Sequence, residues 1–193
     1  LKLMFSKNNI CVNAMLFRMS VNEFEYMVGD TLDLAVKLDK NEYRGIISVS
    51  IFIDDIKYSS LDEEDVIRQN KLYESIVRGE HIDCNIIPKI IPSREDFVQV
   101  YSYLKRNNGW AFKLENLFVR LVQKDIFSKN NEEDESLNFC KLRVVLNALE
   151  SLEVINIYDQ GDKYNVIVNH TNKKVDLESA FIIKLLKTCQ KSG

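Results

Sequence analysis

The stretch Thr31-Leu32-Asp33-Leu34-Ala35-Val36-Lys37-Leu38-Asp39-Lys40-Asn41-Glu42-Tyr43-Arg44-Gly45-Ile46-Ile47-Ser48-Val49-Ser50-Ile51-Phe52-Ile53-Asp54-Asp55-Ile56-Lys57-Tyr58 decides the fold of the N-terminal part of the chain. Leu32, Leu34, Val36 and Leu38 alternate with Asp33, Ala35, Lys37 and Asp39, so a period of two puts aliphatic groups on one face and mostly polar groups on the other. Ile47, Val49, Ile51 and Ile53 form the inner face of a second strand, whose outer face holds Ser48, Ser50 and Phe52. The intervening Lys40 to Gly45 reads as the hairpin loop, with Gly45 supplying positive φ.

Working outward, strands are expected at Leu1 to Phe5, Ile10 to Phe17, Leu32 to Asp39 and Ile46 to Lys57, with Lys7-Asn8-Asn9 as the first turn. Between the second and third, Ser20 and Glu23 spell a capping box for a short helix with Phe24, Met27 and Val28 as its apolar side, stopped by Gly29. The order strand, strand, helix, strand, strand is that of an OB-fold whose first strand is missing. The start at Leu1-Lys2-Leu3, already inside a strand, fits a piece of a longer protein.

From Ser60 the pattern changes. Ser60 with Glu63 reads as a second capping box, and Asp62 to Asp65 load a helix start that runs to about Arg78. Its stripe of Val66, Tyr73, Ile76 and Val77 is thin, as suits a helix bridging two domains. Pro88 and Pro92 bracket an extended segment where the domain junction is placed. Three helices follow: one capped by Ser93 and Asp96 with Phe97, Val98, Tyr101 and Leu104 on one face; one with Leu114, Leu117, Phe118 and Leu121; and one with Phe139 to Leu152, after the acidic loop Asn130 to Glu135. A hairpin, Val154 to Tyr158 and Tyr164 to Val168, precedes a last helix from about Asp176 with Phe181, Ile182, Leu185, Leu186 and Cys189 inward. Helices then hairpin is the winged helix-turn-helix order. The expected fold class is therefore α+β, an OB-like β-barrel over 1–59, a linker helix and extended segment over 60–92, and a winged-helix-like domain over 93–193.

Charge and composition narrow the function. With 26 Lys+Arg against 29 Asp+Glu the net charge is -3, so nucleic-acid contact must come from local patches. Four dispersed cysteines suit reduced thiols in a cytoplasmic protein, and neither His81 nor His170 sits in a zinc frame; both read as surface residues. No apolar run long enough to span a membrane is present. Asp54 and Asp55, adjacent in a strand, point to opposite faces and cannot act as a carboxylate dyad. No phosphate cradle or nucleophile elbow occurs, so binding is the better class.

An aromatic among serines beside cations is what a single-strand groove needs, since bases stack on π-faces and cations follow phosphates. The candidates are Lys2, Lys7, Lys37, Lys40 and Arg44 as cations, with Tyr43 and Phe52 as stacking groups. The competing reading is a small barrel whose Phe52 packs on a neighbour. In the winged-helix part, the third helix presents Asn138, Lys141, Arg143 and Asn147 but also Glu150 and Glu153, a mixed face that suits protein contact or scaffolding better than DNA reading.

Val28-Gly29-Asp30, Leu32-Asp33-Leu34-Ala35, Asp39-Lys40-Asn41-Glu42-Tyr43-Arg44-Gly45 and Ile51-Phe52-Ile53-Asp54-Asp55-Ile56 together resemble the C-terminal OB domain of the RecJ single-stranded-DNA-specific exonucleases, where an Asn-Glu-aromatic-x-Gly hairpin precedes a strand ending in Asp-Ile. Leu1-Lys2-Leu3 and Ala14-Met15-Leu16-Phe17 look like two further strands of that domain. Pro92 to Phe97, Val100-Tyr101 and Leu142 to Ile155 are similar, by pattern, to an extra C-terminal domain of some RecJ proteins. The resemblance implies a non-catalytic part of a 5′-to-3′ exonuclease of DNA recombination and repair. Its partners would be single-stranded DNA and the parent's catalytic core, with a possible protein partner at the winged-helix-like domain. Manganese or magnesium belongs to that core; no cofactor is expected on these residues, which carry no Asp-His-His or Gly-Gly-His motif. Only Lys40, Tyr43 and Arg44 of the matched hairpin carry over as DNA-gripping candidates. The alternative is a protein-interaction adaptor that does not touch DNA.

Overall fold

A computed structural model describes residues 1–127, 137–170 and 174–191, the side chains of 190 and 191 excepted. The acidic loop expected at Asn130 to Glu135 lies outside the described residues. The architecture is mixed α+β and divides into two compact units, Leu1–Leu61 and Asp62–Gly193.

The first unit is one four-stranded sheet built from β1 (Lys2–Lys7), β2 (Ile10–Met15), β3 (Leu32–Tyr43) and β4 (Ile46–Tyr58). Its order is β1-β2-β4-β3, antiparallel except where β2 meets β4 in parallel at Met15↔Phe52. Among the described residues the sheet is open, with β1 and β3 as edges, rather than closed into the expected barrel. Alternation holds only at the base of the ribbon: Ala14, Leu16, Ile53 and Ile56 are buried together, with Leu3, Phe5, Leu34 and Ile51 packed against them. Val36, Leu38, Ile47 and Val49 of the expected inner faces are exposed, and Ile56 turns inward only because the register shifts after Ile53. The helix expected after Ser20 is a single 3-10 turn, Val21–Glu23. Its capping box forms, the Glu23 carboxylate accepting from Ser20 N and Oγ at 2.7 Å each. The turn then ends because Phe24 is extended, and Met27 and Val28 are exposed instead of forming an apolar stripe.

The six-residue hairpin loop is also corrected. Strand pairing continues from Lys40↔Val49 to Tyr43↔Ile46, so the turn is only Arg44-Gly45. Both have positive φ, 53° and 78°, the two-residue geometry whose twist matches that of the flanking strands. A register shift at Ala35/Val36 marks a bulge near the base of this long ribbon.

In the second unit α1 (Glu63–Val77), α2 (Ile87–Ile90), α3 (Arg94–Arg106), β5 (Ala111–Phe112), α4 (Leu114–Val122), α5 (Asn138–Ser151), β6 (Ile155–Asp159), β7 (Tyr164–Val168) and α6 (Phe181–Lys191) surround a core centred on α5. The strands form a sheet of order β5-β7-β6. Phe139, Leu142, Val145 and Leu149 of α5 are buried. The helix read as a linker belongs to this unit, because Gln69, Asn70 and Tyr73 of α1 bond to α5: Cys140 N donates to Gln69 Oε1 at 3.0 Å, Arg143 to Asn70 Oδ1, and Asn147 to the Tyr73 hydroxyl at 3.0 Å. Asp62, not Ser60, caps α1, accepting from Asp65 N at 3.0 Å. Pro88 opens the short α2 rather than an extended segment; a first helical turn tolerates proline because its missing N–H has no intrahelical acceptor there. In α3, Val100 and Tyr103 are buried while Val98 faces outward, and in α6 Phe181 is exposed while Ile182, Ile183 and Leu186 are buried. Both histidines are exposed. No helix among the described residues is long and apolar enough to cross a membrane.

Candidate nucleic-acid interface

Residues opposite each other in a ladder share a face of the sheet. The pairs Lys2↔Met15, Met15↔Phe52 and Phe52↔Lys37 therefore string one row across all four strands on the face away from the core. With strands about 4.8 Å apart, the two lysines stand about 14 Å from each other, with a thioether and a ring between them. Phe17, two residues beyond Met15 and so on the same side, lays its ring on Phe52 with centroids 5.6 Å apart and planes 25° apart. Phe17 is 64% exposed, while Phe52 beneath it is half-buried. The pair makes a π-surface open to solvent.

Lys37 is not a free cation: its Nζ meets Asp54 Oδ2 at 3.0 Å and Oδ1 at 3.1 Å, with both side chains largely solvated. A pair so exposed is weak. Further along β3 the same face carries Asp39, Asn41 and Tyr43, Asn41 donating to Ser50 Oγ at 2.6 Å. Tyr43, 70% exposed at the ribbon tip, holds the Arg44 guanidinium 5.2 Å from its ring centroid. Six residues separate it from Lys37, about 20 Å along the strand.

The sequence-named residues thus fall into groups. Lys2, Lys37 and Phe52 share the row, and Tyr43 shares their face at a distance with Arg44 in the turn beside it. Lys40 sits on the opposite face, paired with Val49, and Lys7 lies opposite Ile10 on the core side of the first hairpin. Sequence does not single out Phe17 and Met15 as site residues: the alternation Ala14-Met15-Leu16-Phe17 puts them on one side, but only the Met15↔Phe52 bridge brings them to the aromatic on β4.

The opposite face of the ribbon carries uncovered aliphatic groups beside Lys40 and Glu42: Leu38, Ile47 and Val49 are 68%, 59% and 63% exposed. In the second unit, three of the α5 side chains read as outward, Asn138, Arg143 and Asn147, are turned against α1 or into the core, while Glu150 is exposed. Asn138 is buried and donates to Phe127 O at 2.6 Å, while Arg143 and Asn147 engage α1. That helix has no clean reading face. Among the described residues no group of three or more His, Cys, Asp or Glu side chains comes together as a metal site would require. No protein-family model, no curated protein and no solved structure matches the chain.

Proposed function

We propose that the first unit is an OB-type module that grips single-stranded DNA on its outer face, as a non-catalytic part of a RecJ-like 5′-to-3′ exonuclease of recombination and repair. The observation that carries this reading is the row Lys2–Met15–Phe52–Lys37 topped by Phe17: stacking rings between two cations, a spacing that lets bases lie on the rings while phosphates run past the lysines. The strand order supports it, since removing the first strand from a five-stranded Greek-key barrel of this type leaves β1-β2-β4-β3 with β2 and β4 parallel. The second unit we read as winged-helix-like, its α3-β5-α4-α5 series ending in the β6–β7 hairpin. With α5 packed against α1, that unit is assigned protein contact, including contact with the parent's catalytic core. Manganese or magnesium would act in that core, and no residue of this chain is assigned to it. The cysteines are free thiols, which suits a cytoplasmic setting.

The test is fluorescence anisotropy with an unstructured oligonucleotide at low and moderate salt. Salt-sensitive binding that Lys2→Glu weakens and Tyr43→Ala with Arg44→Ala weakens further supports the reading. Absence of binding at low salt removes it.

The exposed Leu38, Ile47 and Val49 favour a second reading, a protein-interaction adaptor, because contiguous uncovered aliphatic groups mark contact surfaces. It predicts that Leu38→Lys abolishes partner binding and leaves oligonucleotide affinity unchanged.

A further inference from the structure

Between α5 and the three-stranded sheet of the second unit lies an open cleft of about 130 Å³. Its apolar wall is made by Phe112, Ile157 and Val166 from the sheet and Leu146 from α5, with polar groups along α5 and the Tyr73 and Tyr164 rings completing it. Among the described residues one cation lines it, Arg143, and that guanidinium is held in place. It lies 4.2 Å from the centroid of the Tyr73 ring and donates one N–H to Asn70 Oδ1, while the Tyr73 hydroxyl accepts from Asn147 at 3.0 Å. An arginine carries five N–H donors. The others on Arg143 have no protein partner among the described residues. The carboxylate lining the cleft, Glu150, already accepts from Ile157 N at 3.2 Å, and it stands seven residues along the helix from Arg143, about 10 Å away.

We propose that this cleft binds a small carboxylate carrying an aromatic or branched apolar body. The carboxylate is received by the free edge of Arg143, whose planar fork suits two parallel hydrogen bonds, and the body by the apolar walls. Glu150 repels the anion from the far end and so fixes which way round the ligand lies. Size sets the class: a cavity of about 150 Å³ accepts benzene, whereas nucleotide- and drug-sized sites run to about 300–1,000 Å³. A ring with one carboxylate, or the terminal residue of a peptide, fills this space. The inference is independent of DNA binding by the first unit.

Amide chemical-shift titration of the full chain with phenylacetate, and with phenylacetamide as its neutral isostere, tests it. Expected are saturable shifts at Asn147, Ile157 and Val166 with the acid, and at least about tenfold weaker binding of the amide. Arg143→Gln removes the preference for the acid. Because that change also touches α1, Ile157→Trp serves as a second variant, blocking the cleft with Arg143 intact and abolishing binding of both compounds. No saturable shift by about 10 mM acid, equal binding of acid and amide, or shifts that map elsewhere overturns the proposal.

Discussion

The ring of Phe17 covers that of Phe52, 5.6 Å between centroids, although the two residues belong to segments joined in the sheet by a single parallel bridge at Met15. The upper ring is solvent-facing, so its removal is expected to act on binding more than on stability. Phe17→Ala should lower single-stranded DNA affinity by about 1–3 kcal/mol, the contribution of one stacked base. The melting temperature should change little. Anisotropy and thermal unfolding on the same variant separate the two effects.

Asp54 holds Lys37 in an exposed ion pair, so on the proposed reading it competes with phosphate for that lysine. Asp54→Asn should therefore raise oligonucleotide affinity several-fold, by about 0.5–1 kcal/mol, the scale of an exposed ion pair. It should also steepen the dependence of log affinity on log salt by about 0.7, one more phosphate contact on a single strand. Titrations at several salt concentrations read both quantities.

Elements were legible where burial and period agreed. The base of the β3–β4 ribbon, the Ser93 capping box of α3 and the Leu114-Leu117-Leu121 stripe stand where alternation and spacing put them, while the outer half of the ribbon keeps the alternation but buries neither face. The hairpin turn was not, because Arg44 holds a left-handed φ of 53° that sequence rules reserve for Gly, Asn or Asp, so the chain read as a longer loop. β5 has two residues and no period to detect. The α1 helix read as a thin-faced linker because one of its core contacts is Gln69, a polar residue that hydropathy assigns to solvent. Of the candidate site, Lys2, Lys37 and Phe52 were visible as residue types, but their alignment needed the β2–β4 bridge, a non-local pairing no local pattern encodes.

Gln69 is expected to matter for that same reason. Helix α5 has no side-chain cap at Leu137, and its Cys140 amide, one of the N–H groups a helix start leaves unpaired, is satisfied by Gln69 Oε1. Gln69→Leu keeps the volume and removes the acceptor, leaving a buried donor unpaired. A loss of about 1–3 kcal/mol is expected in urea unfolding of the second unit, followed by the fluorescence of Trp110.

Burial pushes the Cys140 thiol up to about 12, against the opposing pull of the Arg143 charge. The folded state therefore keeps its proton after the unfolded thiol has lost its own. The stabilisation is complete below about pH 9 and lost as pH rises toward 12, because the unfolded chain binds fewer protons there. Relative to Cys140→Ala, the native chain should lose stability more steeply across that alkaline window, as measured by urea unfolding at stepped pH. In native buffer a thiol reagent should label the exposed Cys11 and Cys84 first and reach Cys140 only on unfolding.

The most direct measurement is an amide and methyl chemical-shift map of the chain with a short unstructured single-stranded oligonucleotide at low salt. The account predicts perturbations centred on Lys2, Met15, Phe17, Phe52 and Lys37, extending along β3 toward Tyr43 and fading as salt rises. Shifts confined to the second unit, or none at low salt, contradict it.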